Sequence, residues 1–314
     1  MSSGPALPRI CYVLTTEGED IYALMTRISA ASVRRLHPDA EIVLLCDPES
    51  ESALRGAASP LLNLCDTVVS VAPDIEGRMQ RSRWLKSSLR NVIDGELLYV
   101  DADTVAVKPL AVEPAPGEHV LAALDGWDLD GTPIQGVHDW VWVLADRLGW
   151  TIPGFYRNSG VIYFRDSAAA RSLGQRWHEE WQRSAEVGCY RDQPAFNAVL
   201  GEFGDAVGTL PTTMNAMVRY RAWMARRARL YHFWAEGNPV ADEPDTLLDH
   251  LIAHMRATGM VDYDAISRSG RLQYPWARRQ GVPIALVAGA YRVAFYELVR
   301  KVVRSALSFR RRYD

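Results

Sequence analysis

The run LLYVDADTVAV, residues 97–107, sets two carboxylates, Asp101 and Asp103, inside an otherwise apolar, β-branched stretch. An ionised carboxylate is costly to take out of water unless a counter-charge, a hydrogen-bond network or an exit to solvent goes with it. Read as a strand, the segment points Asp101 and Asp103 to one face while Ala102 points away. Ligands of open α/β sheets bind beyond the carboxyl ends of strands. Two hard oxygen ligands at such an end suit Mg²⁺ or Mn²⁺, bound by few protein groups and completed by phosphate oxygens. A solvated turn is the plainer reading of a lone D-x-D, but near-continuous apolar flanks predict a central strand.

The elements that must position this pair alternate along the chain. RICYVLTT predicts a short buried strand, and DIYALMTRISAASVRRLHP a helix stopped by Pro38. EIVLLCD (41–47) and LCDTVVSV (64–71) follow as strands, and RWLKSSLRNVID is a helix feeding the D-x-D strand. Such alternation predicts an α/β fold with a mostly parallel central sheet covered by helices. Beyond Pro109 a Pro- and Gly-rich connector leads to strands HVLAALD and SGVIYFR and helices AAARSLGQRWHEEWQRSA and PAFNAVLGEF, read as an insertion or second half-sheet that walls off a cleft. DTLLDHLIAHMRATG is then a helix, followed by a loop and by one basic amphipathic helix from about Pro283.

Composition narrows the partners. With 35 Lys and Arg against 38 Asp and Glu, no whole-chain field calls for nucleic acid. Cys11, Cys46, Cys65 and Cys189 have no C-x-x-C spacing and read as buried free thiols of a reducing cytoplasm. The opening MSSGPALPRI lacks a basic region followed by an apolar core, and no stretch is long and apolar enough to span a bilayer, so a cytoplasmic location is expected. There is no G-x-x-x-x-G-K-[ST] loop, no G-x-G-x-x-G after a strand and no G-x-S-x-G elbow. His250 and His254, four apart, lack the intervening Glu of H-E-x-x-H and read as helix-surface and packing residues.

Further segments, in order from about residue 10 to residue 239, resemble the retaining glycosyltransferases of family 8, the glycogenins and bacterial lipooligosaccharide galactosyltransferases. The fold this implies is GT-A, a Rossmann-like α/β sheet flanked by helices, with a helical C-terminal appendage. Leu14, Thr15 and Thr16 with Tyr22 resemble the uridine-binding strand end, where a Tyr ring stacks on the base. Lys86 of WLK, with Arg83 as substitute, resembles the basic residue near the diphosphate; by themselves both read as charges on an exposed helix face. Asp125 in AALDGW resembles the acid that contacts the donor sugar, and Asn158, Ser159 and Gly160 of RNSGVIYF the strand that holds sugar hydroxyls. Asp192 and Gln193 of RDQPAF resemble the catalytic pair beside the anomeric carbon, although Asp192 alone would read as a helix cap. Asn215 of LPTTMNAM resembles a residue near the acceptor side. His232 of RLYHFWAEGNP resembles the third protein ligand of the metal, beside Asp101 and Asp103, with Ala102 against the donor. The motif's Gly and Lys after that His are replaced here by Ala235 and Asn238, and its Trp by Val240, while Pro239 is kept.

The resemblance implies a metal-dependent transfer of a hexose from a nucleotide sugar, a UDP-sugar with Mn²⁺ or Mg²⁺, to a hydroxyl of a glycan, glycolipid or small-molecule acceptor, with retention. The competing readings are a sugar nucleotidyltransferase, against which the acidic TTEGED speaks, and a UDP-sugar-binding protein without turnover. Arg226 and Arg227, in the cluster RYRAWMARRAR, fall where the resemblance puts an acceptor cleft and are expected to meet an anionic acceptor. The expected divisions are a tail (1–8), a GT-A domain (9–240), a helical extension (241–282) and a basic amphipathic helix and tail (283–314). In that last helix Tyr291, Phe295, Leu298, Val302, Ala306 and Phe309 form one stripe opposite Arg292, Lys301, Arg304 and Arg311. Such a face predicts an anionic membrane surface as partner, the competing readings being packing on the domain or a dimer contact. Oligomeric state is left open.

Overall fold

The computed structural model describes residues 7–126, 137–219, 221–234 and 245–310, with side chains of the last helix described as far as residue 302. The chain opens with β1 (Arg9–Leu14) and α1 (Ile21–Leu36), whose first turn is capped by the Asp20 carboxylate accepting from the Tyr22 and Ala23 amides. Next come β2 (Ile42–Cys46), α2 (Pro48–Gly56), β3 (Thr67–Ser70), α3 (Arg78–Val92) and β4 (Leu97–Val100). The chain continues through β5 (Thr104–Ala106), β6 (Val120–Leu124), α4 (Asp139–Leu148), β7 (Arg157–Phe164), α5 (Ala168–Glu186) and α6 (Asp192–Leu200). Short strands β8 (Val207–Thr209), β9 (Ala216–Met217) and β10 (Leu230–His232) precede four helices, α7 (Leu247–Thr258), α8 (Tyr263–Leu272), α9 (Gly281–Val287) and α10 (Tyr291–Arg310).

Seven strands form the main sheet in the order β3-β2-β1-β4-β7-β6-β8, in which β7 alone runs antiparallel to its neighbours. The second half-sheet is thus partly fused to the first: β6 and β7 extend the main sheet, while β5, β10 and β9 form a separate small sheet. Alternate residues of the main strands face opposite layers. Cys11, Leu97, Tyr99 and Ile162 pack with Leu85 and Leu89 of α3 and Trp177 and Trp181 of α5. Ile10, Tyr12, Leu98 and Val100 pack with Ala30 and Val33 of α1 on the other side. A third cluster joins Leu24 and Ile28 of α1 to the small sheet and to Leu251, Ile266, Ala285 and Ala294 of the last four helices.

Four local expectations change. The D-x-D strand ends at Val100, and Ala102 and Asp103 form a turn before β5 enters the other sheet. The helix expected from residue 83 starts at Arg78, after Gly77 at φ +87°; its first turns are too polar to show a periodicity. The loop expected after α7 contains α8, whose inward residues, Ala265, Ile266, Ser269 and Gly270, give little apolar signal. The single C-terminal helix is two, because Gly289 takes φ +75° between α9 and α10, a left-handed conformation that ends a helix. Cys11 and Cys46 are buried and Cys65 and Cys189 half-buried, all as free thiols. Burial pushes Cys11, Cys46 and Cys65 up to about 12, so none is a ready nucleophile. The boundary expected at 240, and Ala235, Asn238, Pro239 and Val240, lie outside the described residues.

The layer of α3 and α5 presses on the strand that carries Asp101. Leu89→Ala, at a fully buried position of that layer, is expected to cost about 2–5 kcal/mol in urea denaturation while leaving the far-ultraviolet circular dichroism spectrum unchanged.

Candidate active site

Asp101 follows β4, and its amide donates to the Gly160 carbonyl of β7 at 2.7 Å, adding one rung to that ladder. Its carboxylate therefore shares the face of Tyr99, two residues earlier, whose hydroxyl donates to Asp101 Oδ1. The turn brings Asp103 to the same place by another route. Thr104 Oγ1 donates to the Asp101 carbonyl at 2.9 Å, and the Phe233 amide donates to the Asp103 carbonyl at 3.0 Å. Antiparallel pairing of His232 with Thr104 then sets the imidazole beside the turn. One ligand atom from each of Asp101, Asp103 and His232 lies within 4.8 Å of the others, and His232 Nε2 is 3.3 Å from Asp103 Oδ1.

His232 is 4% exposed. Burial disfavours its charged form, but the Asp103 and Asp101 carboxylates outweigh that and hold its pKa above the ordinary value. Its Nδ1 donates to Asn215 Oδ1 at 2.7 Å, which turns Nε2 toward the carboxylates. Asn215 Nδ2 in turn donates to Asn158 Oδ1 at 2.9 Å, an oxygen that also accepts from the Gly160 amide at 2.8 Å. Gly160 is required sterically. A Cβ there would lie 2.4 Å from His232 Cε1 and 2.7 Å from Asp101 Oδ2. Two carboxylates and an oriented imidazole around a space kept open by a glycine could hold a metal ion.

Lys86 is 2% exposed, not a charge on an open helix face. Its Nζ lies 3.1 Å from Asp101 Oδ1 and 3.1 Å from Asp192 Oδ2, tying α3 to the end of β4 and to the start of α6. Arg83, one turn earlier, adds a second cation 3.3 Å from Asp192 Oδ1. Asp192 is the first residue of α6, and its carboxylate accepts from Ser159 Oγ at 2.7 Å. Burial pushes the Asp192 pKa up, but Lys86, Arg83 and Ser159 together carry it well below the usual carboxylate range.

The sugar-side candidates form a contiguous network. Gln193 Nε2 donates to Asp125 Oδ2 at 2.8 Å, Gln193 Oε1 accepts from the Ser159 amide at 3.1 Å, and Asn158 Nδ2 is 3.5 Å from Asp125 Oδ1. Ala102 packs against the small-sheet cluster. Leu14 ends β1, the neighbour of β4 in the sheet, Thr15 and Thr16 follow it, and Tyr22 lies in the first turn of α1. Thr15 Oγ1 donates to the Arg78 carbonyl at 3.1 Å, the Thr16 amide donates to Ser50 Oγ at 2.7 Å, and the Arg78 guanidinium stands 5.7 Å from the centre of the half-exposed Tyr22 ring.

Sequence reasoning missed Tyr99 and Arg78. Tyr99 had a signal, since residues two apart on a strand share a face. Arg78 had none, because it meets Tyr22 only through tertiary structure. Arg226 and Arg227 separate from the other candidates: Arg227 donates its amide to Gln273 Oε1 at 2.6 Å, and Arg226 packs near Gly289, toward the C-terminal helices. His250 Nε2 donates to Asp262 Oδ2 at 2.9 Å on the surface of α7.

A family model described as nucleotide-diphospho-sugar transferase matches residues 82–241. Among solved structures, an active-site mutant of LgtC superposes with a TM-score of 0.54 at 16% identity, over 83% of this chain and 99% of its own. GlyE of Streptococcus pneumoniae TIGR4 gives 0.51 at 15% identity, over 87% and 67%. The WbbM bifunctional glycosyltransferase gives 0.50 at 17%, over 75% of this chain and 47% of that one, so the chain spans about half of WbbM. These likenesses establish the GT-A fold. No curated protein matches the sequence.

Two consequences follow from the buried ion pairs. Lys86→Met strands Asp101 and Asp192 beside each other and is expected to cost about 3–5 kcal/mol in urea denaturation at neutral pH. Because folding lowers the Asp192 pKa, the folded state binds fewer protons there, and its contribution is full above the unfolded value of about 4 and is lost on further acidification. The stability gap between the parent and Asp192→Asn should therefore be largest at neutral pH and narrow as the pH falls below that point.

Proposed function

Because residues 82–241, half of the chain, place it in the nucleotide-diphospho-sugar transferase family, and it is thus a glycosyltransferase, we propose that it moves a hexose from a UDP-sugar to a hydroxyl acceptor, with a divalent metal and with retention of configuration. The observation that carries this reading is the convergence of Asp101, Asp103 and His232 beside the Lys86–Asp192 pair. Asp101, Asp103 and His232 would hold Mn²⁺ or Mg²⁺, which when bound supplies Lewis-acid charge at the leaving diphosphate.

The chain's own residues account for the remaining requirements. Lys86 and Arg83 offset the negative charge of Asp101 and Asp192, so that a diphosphate entering the site is not met by unbalanced carboxylates. Asp192 stays ionised at neutral pH, which suits it to stabilising positive charge developing at an anomeric carbon and unsuits it to proton transfer. With no general base required, the proton of the attacking hydroxyl passes to the departing phosphate oxygen on the same face of the sugar. Gln193, Asp125 and Asn158, already hydrogen-bonded to one another, orient the sugar hydroxyls, while Tyr22 stacks on the uracil and Thr15 and Thr16 border it. Asn215 acts on this site through His232.

The acceptor is a glycan, a glycolipid or a small molecule. Among the described residues no helix is long and apolar enough to cross a membrane. An anionic membrane surface is part of the proposal, because α10 turns Tyr291, Phe295, Leu298 and Val302 outward while Ala294 and Glu297 are buried.

Calorimetric titration of UDP tests the donor site. Binding in Mn²⁺ is expected to vanish in EDTA and in Asp103→Asn with the fold intact; unchanged affinity of that variant in Mn²⁺ would remove the metal assignment. For the membrane, Phe295→Glu with Val302→Glu is expected to abolish co-sedimentation with phosphatidylglycerol vesicles, and full retention would leave α10 a solvated helix.

A further inference from the structure

A cavity of about 530 Å³ opens between the end of α1, the exit of β5 and α8, and none of its lining residues belongs to the site described above. Cations reach it from three elements: Arg35 from the last turn of α1, Lys108 from beyond β5, and Arg268 and Arg271 from α8. Ser267 adds a hydroxyl, and Asp264 is the single carboxylate of the lining. Arg35 is held by stacking, its guanidinium 4.8 Å from the centre of the Tyr263 ring. Lys108, Arg268 and Arg271 form no salt bridge with any described residue.

The surroundings sharpen the charge. Burial, then the nearby Arg229 and Arg227, push the Lys108 pKa down, because its ammonium is half-buried among like charges. Arg229 immediately precedes β10 and accepts through its carbonyl from the Val107 and Lys108 amides, while His232 ends that strand. The cavity thus lies at one end of the β5–β10 pair and the Asp101–Asp103–His232 cluster at the other. Arginines from separate elements converging with a lysine and a hydroxyl match the multiple acceptor oxygens of a phosphate group.

We propose that the cavity between α1, β5 and α8 is a second, non-catalytic anion site that binds a phosphate group through Arg35, Lys108, Arg268 and Arg271. The proposal is independent of the donor and metal reading. A phosphate of this kind reaches the protein either as a soluble phosphate compound or as a lipid headgroup, and the two sources are separable.

The full chain, with EDTA present so that the metal cluster is not loaded, would be titrated calorimetrically with inorganic pyrophosphate and, separately, with monomeric dihexanoyl-phosphatidylglycerol. Arg268→Glu with Arg271→Glu is expected to weaken binding by about tenfold or more, while reversal of the surface residues Arg147 and Arg256 controls for net charge. Loss confined to the pyrophosphate arm, or seen in both, identifies a soluble phosphate ligand; loss confined to the lipid arm identifies a headgroup. Binding of neither probe to the parent, or binding that the Arg268/Arg271 variant retains, overturns the site. UDP binding in Mn²⁺ by the same variant should be unchanged, which separates this outcome from failure of the donor site.

Discussion

Lys86 places one buried ammonium between two carboxylates from elements far apart in sequence, and the architecture around it can be read as what makes that tolerable. Without the lysine, Asp101 at the end of β4 and Asp192 at the start of α6 would be like charges drawn together inside a protein. With it, α3 is pinned across the carboxyl edge of the sheet, and the α3–α5 layer is held in register with the central strand. Arg83 meets the other Asp192 oxygen, Oδ1, while Ser159 and Tyr99 donate to the oxygens that Lys86 also faces, Asp192 Oδ2 and Asp101 Oδ1. An arrangement with that many partners resists rotation of either carboxylate.

A second constraint comes from the change of sheet at the D-x-D turn. Asp101 is the last rung of the main sheet and Asp103 the approach to the small one. The two acids are therefore fixed by different ladders, and His232 arrives on the third strand element, β10. The amide chain from Gly160 through Asn158 and Asn215 to His232 Nδ1 locks the tautomer of the imidazole across the same junction. The small sheet needs cover of its own, and α7 to α10 supply it by packing on the same cluster as α1.

Much of this was legible in the residues. Apolar β-branched runs alternating with helical periodicity determined an α/β sheet, and the apolar flanks of Asp101 determined a central strand, because only a strand covered on both faces tolerates such a run. The order of D-x-D, N-S-G, D-Q and the His motif named the family. Polar helices with small inward residues, such as α8, were not legible, since burial of Ala, Ser and Gly leaves no apolar period.

What only the tertiary structure decided was how the candidates meet. Strand alternation explains the direction of Asp101 but not that of Asp103, which a turn delivers. Whether Lys86 is a solvated charge or the counter-ion of two carboxylates depends on α6 packing against α3, a contact between residues 106 apart in sequence. The same holds for Asp192, a cap by local spacing and a ligand of Lys86, Arg83 and Ser159 in space. Composition and periodicity act over a few residues and so set the elements and their buried faces; charge pairing at the sheet edge acts across the fold, and only the packed chain fixes its partners.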